Sequence, residues 1–332
     1  METQSITYVE CRDWMPTGKR AAVCFNIDDI HPATSRDEFE AGGDLSRGAL
    51  GNVQRLLARH PQLRVTLFVT PDWRLRRLVP SRGLLTRIPL LRKRIHWAPL
   101  APEGCFRLDR FPHFIAFLNA LPRTDCAVHG LHHAHPGPKL ATEFQRQSRS
   151  ECGAMLQQAH EIFRSAGLRH VPGFAAPGWN TPPALCEALC DAGFHFVTSA
   201  RDLETPIRTG ALAAGAGLRG VSLVQPMLVR QVSNSDGACT ATVPAQLVHF
   251  PTNFQATSAI ERAHAIIDSG GVLSIKAHIF KSGGGLTMID GLDADYCDYL
   301  EWLWSELERT YGDSLWWTTL AQMAARCRET QQ

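Results

Sequence analysis

At 332 residues, with 44% apolar and 20% charged side chains, the chain has an ordinary globular composition that excludes long disorder. The 34 basic and 32 acidic residues leave a net charge of +2, which predicts no general attraction to nucleic acid. No stretch reaches 18 uncharged apolar residues, so no transmembrane helix is expected, and the opening METQSITYVECRDW shows no secretory signal. Ten scattered cysteines lack a Cys-x-x-Cys pair and read as reduced thiols in a cytoplasm.

Short apolar runs alternate with helix-length segments. Ala21–Ile27 reads as a buried strand ending at Asp28. A helix over Leu45–Arg59 leads to a second strand, Arg64–Thr70, and Asp125–His129 is a third that ends on a histidine. Thr142–Ala166 reads as a long helix with Thr142 as its N-cap, followed by a strand at Gly173–Ala176 and a helix at Pro183–Ala192 with proline in its first turn. Strands at Phe194–Ser199, Leu247–Phe250, Val272–His278 and Leu315–Thr318 complete the series, with the helix Asp293–Arg309 before the last. Continuous apolar runs are expected where both faces of a sheet are covered. The alternation predicts one α/β domain over 1–332, a distorted (β/α) barrel of seven or eight parallel strands, with an open doubly wound sheet as the alternative.

Polar residues collect at the predicted strand ends: Asp28 and Asp29, His129, Trp179 and Asn180, Thr252 and Asn253, and His278. In parallel barrels chemistry sits at that end. Two adjacent acids can divide the work, one on a cation and one as a proton acceptor. His129 and His133 lie four apart in His-Gly-Leu-His-His, and two imidazoles with one carboxylate suit a catalytic divalent metal. His132, His135 and His31 leave the ligand choice open, and His278 is placed to give a proton to a leaving amine.

In this order the motifs resemble the polysaccharide deacetylase family, carbohydrate esterase family four. The resemblance implies Asp28 as catalytic base, Asp29, His129 and His133 as metal ligands, and His278 as catalytic acid. Gly173-Phe-Ala-Ala-Pro-Gly-Trp-Asn180 is similar to the family's proline loop, so Pro177, Trp179 and Asn180 are expected to bind substrate. The Gly-Trp ending and the consecutive histidines are closest to the branch of the lipid-linked formamido-arabinose deformylase. The metal is expected to be Zn²⁺, with Co²⁺, Ni²⁺ or Mn²⁺ as alternatives. Two features depart from the family. Its loop arginine, which contacts the base aspartate, is missing from Phe174-Ala175-Ala176. Where family members often have an aspartate that orients the acid histidine, Thr198 or Ser199 stands here, with Asp202 as a candidate substitute.

Eight Arg and Lys residues and no acid fall between Trp73 and Pro102, an insertion at about 73–102 that leaves the rest of a +2 chain at −6. Residues 74–97 are therefore expected to meet an anionic membrane surface or a phosphorylated carrier. The expected function is removal of an acetyl or formyl group from an amino sugar, on a cytoplasmic biosynthetic or lipid-linked glycan, peripheral to the inner membrane face. Alternatives are a catalytically decayed barrel that binds carbohydrate, an O-acetyl esterase and a phosphodiesterase.

Overall fold

Ala21–Ile30 (β2) is buried at every position, as a strand must be when layers cover both of its faces. The computed structural model describes residues 5–33, 45–46, 48–75, 100–133, 143–235, 238–240, 247–279, 282–283, 286–287 and 290–330. Before β2 stands β1 (Ser5–Glu10); after it come α1 (Ala49–Arg59), β3 (Val65–Val69), β4 (Asp72–Trp73), β5 (Phe106–Arg107), α2 (Pro112–Ala120) and β6 (Thr124–Val128). The middle of the chain gives α3 (Arg149–Ala166), β7 (Gly173–Ala175), α4 (Pro183–Asp191), β8 (Phe196–Arg201), β9 (Met227–Ser235), β10 (Ala238–Thr240) and β11 (Leu247–Thr252). The last stretch gives α5 (Ile260–Asp268), β12 (Val272–His278), β13 (Ser282–Gly283), β14 (Leu286–Thr287), α6 (Ala294–Tyr311), β15 (Leu315–Trp317) and α7 (Leu320–Glu329).

One eleven-stranded sheet runs in the order β1-β9-β11-β8-β7-β6-β3-β2-β12, with β10 on β9 and β15 on β2. From β11 to β12 the strands are parallel, seven in all, and β15 joins β2 in the same sense. The sheet ladder ends at β12. A single parallel bridge, Phe254 to Ile275, ties the residues just past β11 to β12, with the Lys276 N–H donating to Phe254 O at 2.9 Å. The antiparallel flank of β1, β9 and β10 had no counterpart among the sequence-predicted strands. The polar opening segment forms β1 because β9 supplies its ladder, a pairing 217 to 227 residues away in the register Ser5–Val232 down to Glu10–Met227 and invisible to local pattern.

Helix starts follow local chemistry. The predicted N-cap Thr142 lies outside the described residues. Helix α3 instead begins after Ser148, which forms a capping box with Glu151. Asp293 caps α6 by accepting from the Tyr296 N–H, and Tyr296, Leu300, Leu303, Trp304 and Leu307 are buried, as their helical spacing predicted.

Alternation then sets up the site. Residues i and i+2 of a strand share a face. On one face of the parallel strands Cys24, Phe68, Ala127, Ala175, Phe196 and Phe250 pack into an apolar layer sealed below by Leu320, Met323 and Ala324 of α7. Further along the same face, toward the strand ends, stand Asn26 and Asp28, Thr70, His129, Thr198, Thr252, and Lys276 and His278, all buried. The apolar layer thus gives way to a set of polar side chains at the strand ends. Among the described residues no helix is long and apolar enough to cross a membrane.

Candidate active site

Asp29 is the hub. Its Oδ1 lies 3.2 Å from His129 Nε2 and 3.0 Å from His133 Nε2, and one ligand atom from each of the three residues falls within 4.8 Å of the others. They form the one such group of three or more His, Cys, Asp or Glu residues found among the described residues. Asp29 sits at φ 63° in an irregular end of β2, where the pairing with β3 shifts register between Ile27 and Ile30. That turn aims successive acids, Asp28 and Asp29, into the same site instead of to opposite faces. His133 is left-handed too, at φ 63°. Such conformations disfavour side-chain-bearing residues and persist where the surroundings impose them.

The two imidazoles are fixed from behind. The His129 Nδ1–H donates to Ala175 O of β7 at 3.1 Å, which fixes the ring and turns Nε2 toward Asp29. The His133 loop is clamped by Glu143, a buried carboxylate that accepts N–H bonds from Leu131 at 2.8 Å, His132 at 2.6 Å and His133 at 3.0 Å. Burial pushes the Glu143 carboxyl up, and it stays raised against the lowering by these donors and by His132 and His133. Gly130, at φ 70°, sits so close that a Cβ there would meet the Glu143 carboxylate and Pro177. Burial also pushes Asp29 up, but His133 and His129 overcome it and hold the carboxyl well below the usual range.

The open question over the other histidines closes for two of them. His31 stacks on Trp73, with ring centroids 3.9 Å apart, and its Nδ1 is 2.6 Å from Asp29 O. His132 turns toward β4, its Nδ1 3.0 Å from Asp72 O. Neither belongs to the group around Asp29 Oδ1. His135 lies outside the described residues.

Asp28 and His278 face each other across the β2–β12 ladder, where Asp28 pairs with His278 and Asn26 with Lys276. Lys276 and His278 are therefore on one face, and the Lys276 Nζ bonds Asp28 Oδ2. Among the described residues this lysine is the cation paired with Asp28. Asp28 Oδ1 is buried and has no hydrogen-bond partner among the described residues, an acceptor left open beside the three-residue group. His278 Nε2 is 4.0 Å from Asp29 Oδ2, and its Nδ1 is 2.9 Å from Asp290 Oδ2. Burial lowers the His278 pKa, but Asp290, with Asp29 further off, raises it above the ordinary imidazole value.

Asp290 is thus the partner of His278, and Asp202 is not. The Asp202 carboxylate accepts N–H bonds from Glu204, Thr205, Ala214 and Gly215 at 2.7–3.1 Å. Burial pushes Asp202 up, and those backbone donors bring it down to about 2. Thr198 bonds Phe250 O and Thr252 Oγ1, and Ser199 lies 3.0 Å from His249 Nε2, so neither reaches His278. Sequence reasoning missed Glu143, Lys276 and Asp290 as partners. Lys276 alone left a signal, two residues before His278 on a strand.

Of the proline loop, Trp179 stands edge-on to His278 at 5.5 Å and walls the site. The amide of Asn180 is tied to Gln145, and Pro177 is buried against the Gly130 turn. Of the basic insertion, only its first residues and 100–102 are described; there Arg74 pairs with Glu103 at 2.8 Å and donates to Ala101 O.

No family model matches the chain, and no curated protein matches it. Solved structures do. The chain is similar to a candidate polysaccharide deacetylase from Mycobacterium smegmatis at 15% identity and TM-score 0.55, over 98% of this chain and 96% of that one. It is similar to 4-alpha-glucanotransferase from Thermococcus litoralis at 13% identity and TM-score 0.48, over 92% of this chain and 40% of that one. A CE4 family pseudoenzyme from Bacillus anthracis gives 10% identity and TM-score 0.43, over 93% and 66%. The first of these establishes a shared mixed α/β fold with a large, mostly parallel sheet.

Proposed function

We propose that the chain is a divalent-metal-dependent hydrolase that removes an N-acyl group from an amino sugar. One observation carries the reading: a carboxylate oxygen and two imidazole nitrogens converge at the strand ends, between a carboxylate with an open oxygen and a histidine backed by an acid. The donor set fits such an ion. One carboxylate and two imidazoles, one with its ring fixed from behind, are a donor set that would suit zinc and would leave coordination positions for substrate.

When bound, the ion supplies Lewis acidity that polarises the acyl carbonyl and makes water acidic near neutral pH. Asp28 takes the proton from the attacking water through Oδ1, while Lys276 holds Oδ2 and keeps the carboxylate in place. His278, held protonated by Asp290, delivers a proton from Nε2 to the departing amine. Trp179 covers the acid from the side and limits access of bulk water. The finer reading is an acetyl or formyl amide on a biosynthetic glycan, acted on inside the cell, near the deformylase branch of family four, by a single barrel-type catalytic unit that prefers zinc.

The test is a parallel assay of the metal-loaded chain on N-acetyl and N-formyl amino sugars, an acetyl ester of a neutral sugar and a phosphodiester. The reading expects acid release from an amide at a rate well above those of the other bonds. Turnover confined to the ester or phosphodiester, or no turnover with metal bound, contradicts it.

A further inference from the structure

The proposed reaction leaves one cation at the site unused. Arg201 ends β8, directly after Ala200, whose φ of 54° turns the strand end. Its guanidinium lies 4.5 Å from the centroid of the Trp179 ring that also contacts His278. Arg201 donates to Gln255 Oε1, but its Nε is buried with no acceptor among the described residues. Among those residues Asp28 is paired with Lys276 and Asp290 with His278; Arg201 makes no ion pair of its own, although, against the rise from burial, its charge, after that of His278, also helps to lower the Asp290 pKa. Nearby Arg262 is fully engaged, with its three nitrogens on Asn253 O, Thr205 O and Asp202 O at 2.8–2.9 Å.

A cleft of about 760 Å³ opens from Arg201 and is lined also by Gln255, Thr257, Ser258, Gly215 and, at the exposed rim, Glu204. That volume is in the range of small-molecule sites. Asp202, which also lines the cleft, accepts from four backbone N–H groups and forms no ion pair with the arginine among the described residues. A planar guanidinium presents paired donors that match an oxyanion, and this one is already desolvated on one side by an indole.

We propose that Arg201, with Gln255 beside it, binds an oxyanion carried by the amino-sugar substrate, a phosphate or a carboxylate, and so selects anionic over neutral sugars. The proposal rests on the amino-sugar reading of the site. Calorimetry on the purified full chain tests it by comparing N-acetylglucosamine 1-phosphate with N-acetylglucosamine, and glucuronate with glucose. The wild type is expected to prefer at least one anionic sugar by roughly tenfold or more, the scale of a charged hydrogen bond, and Arg201→Gln to bring that ratio below about threefold. Whichever pair shows the preference identifies phosphate or carboxylate. Arg201→Lys keeps the charge without the fork, is expected to lower the ratio about threefold, and serves if the glutamine variant does not fold. No preference for either anion, or a preference unchanged in the variant that folds, overturns the proposal. Binding needs no turnover, so a chain that binds anions yet hydrolyses no amide defeats the functional reading alone. One that hydrolyses amides without anion preference defeats this inference alone.

Discussion

Asp29, His129 and His133 are held by main chain and loop clamps, whereas Asp28 and His278 are held by other side chains. On the ligand side, a β7 carbonyl fixes His129, and Glu143 grips three successive N–H groups around His133. On the acid–base side, Lys276 bonds Asp28 and Asp290 stands 2.9 Å behind His278. The contrast is physical. An ion-binding group needs fixed lone-pair directions, which rigid backbone supplies. A proton-transfer group needs a set charge, which a neighbouring ionised side chain supplies. Volume says less. A groove of about 1280 Å³ between α3 and α4 is larger than the cleft at Arg201, but there His160 stacks on Phe194 and Arg149 pairs with Asp191. No acid–imidazole group comparable to that around Asp29 occurs there among the described residues.

If the two sides are separate in kind, substitutions should separate them. Asp28→Asn is expected to lower kcat by about 10²–10⁴ with bound metal unchanged, the usual range for loss of a general base. Loss of metal in that variant would merge the two sides. Glu143→Gln should act in the opposite way. With its charge gone, the clamp on three N–H groups weakens, and metal affinity is expected to fall by about 10–100-fold, as for other outer supports of metal ligands. Saturating metal should restore most of the rate; an unrestored rate would place Glu143 in the chemistry.

Asp290→Asn is expected to have the smallest effect, about tenfold in kcat, with an altered pH profile. Asp290 raises the His278 pKa above the ordinary value, so its removal lets the proton leave at lower pH. The alkaline limb of kcat should therefore move to lower pH, and metal content should hold. A limb that stays in place would mean that His278 is not the acid or that Asp290 does not set its charge.

The same division explains what could be read in advance. Strands β2, β3, β6, β7 and β12 announce themselves as apolar runs because both faces are covered, and their ends carry Asp28, Asp29, His129 and His278 in plain order. The ladder of β1 on β9 was hidden because its pairing is far apart in sequence. Glu143 and Asp290 were hidden for a related reason. Each is a lone acid in a loop, and only the folded chain brings it against His133 or His278. Lys276 stands two residues before His278 on the same strand. Strand alternation puts it on the same face as His278 and against Asp28.

The central claim is that Asp29, His129 and His133 together hold one divalent ion. Metal analysis of the purified chain beside Asp29→Ala and His133→Ala tests it most directly, with circular dichroism to verify folding. The claim predicts close to one ion per wild-type chain and little in either folded variant. A wild type that takes up no divalent ion, or variants that retain it in full, would contradict the claim.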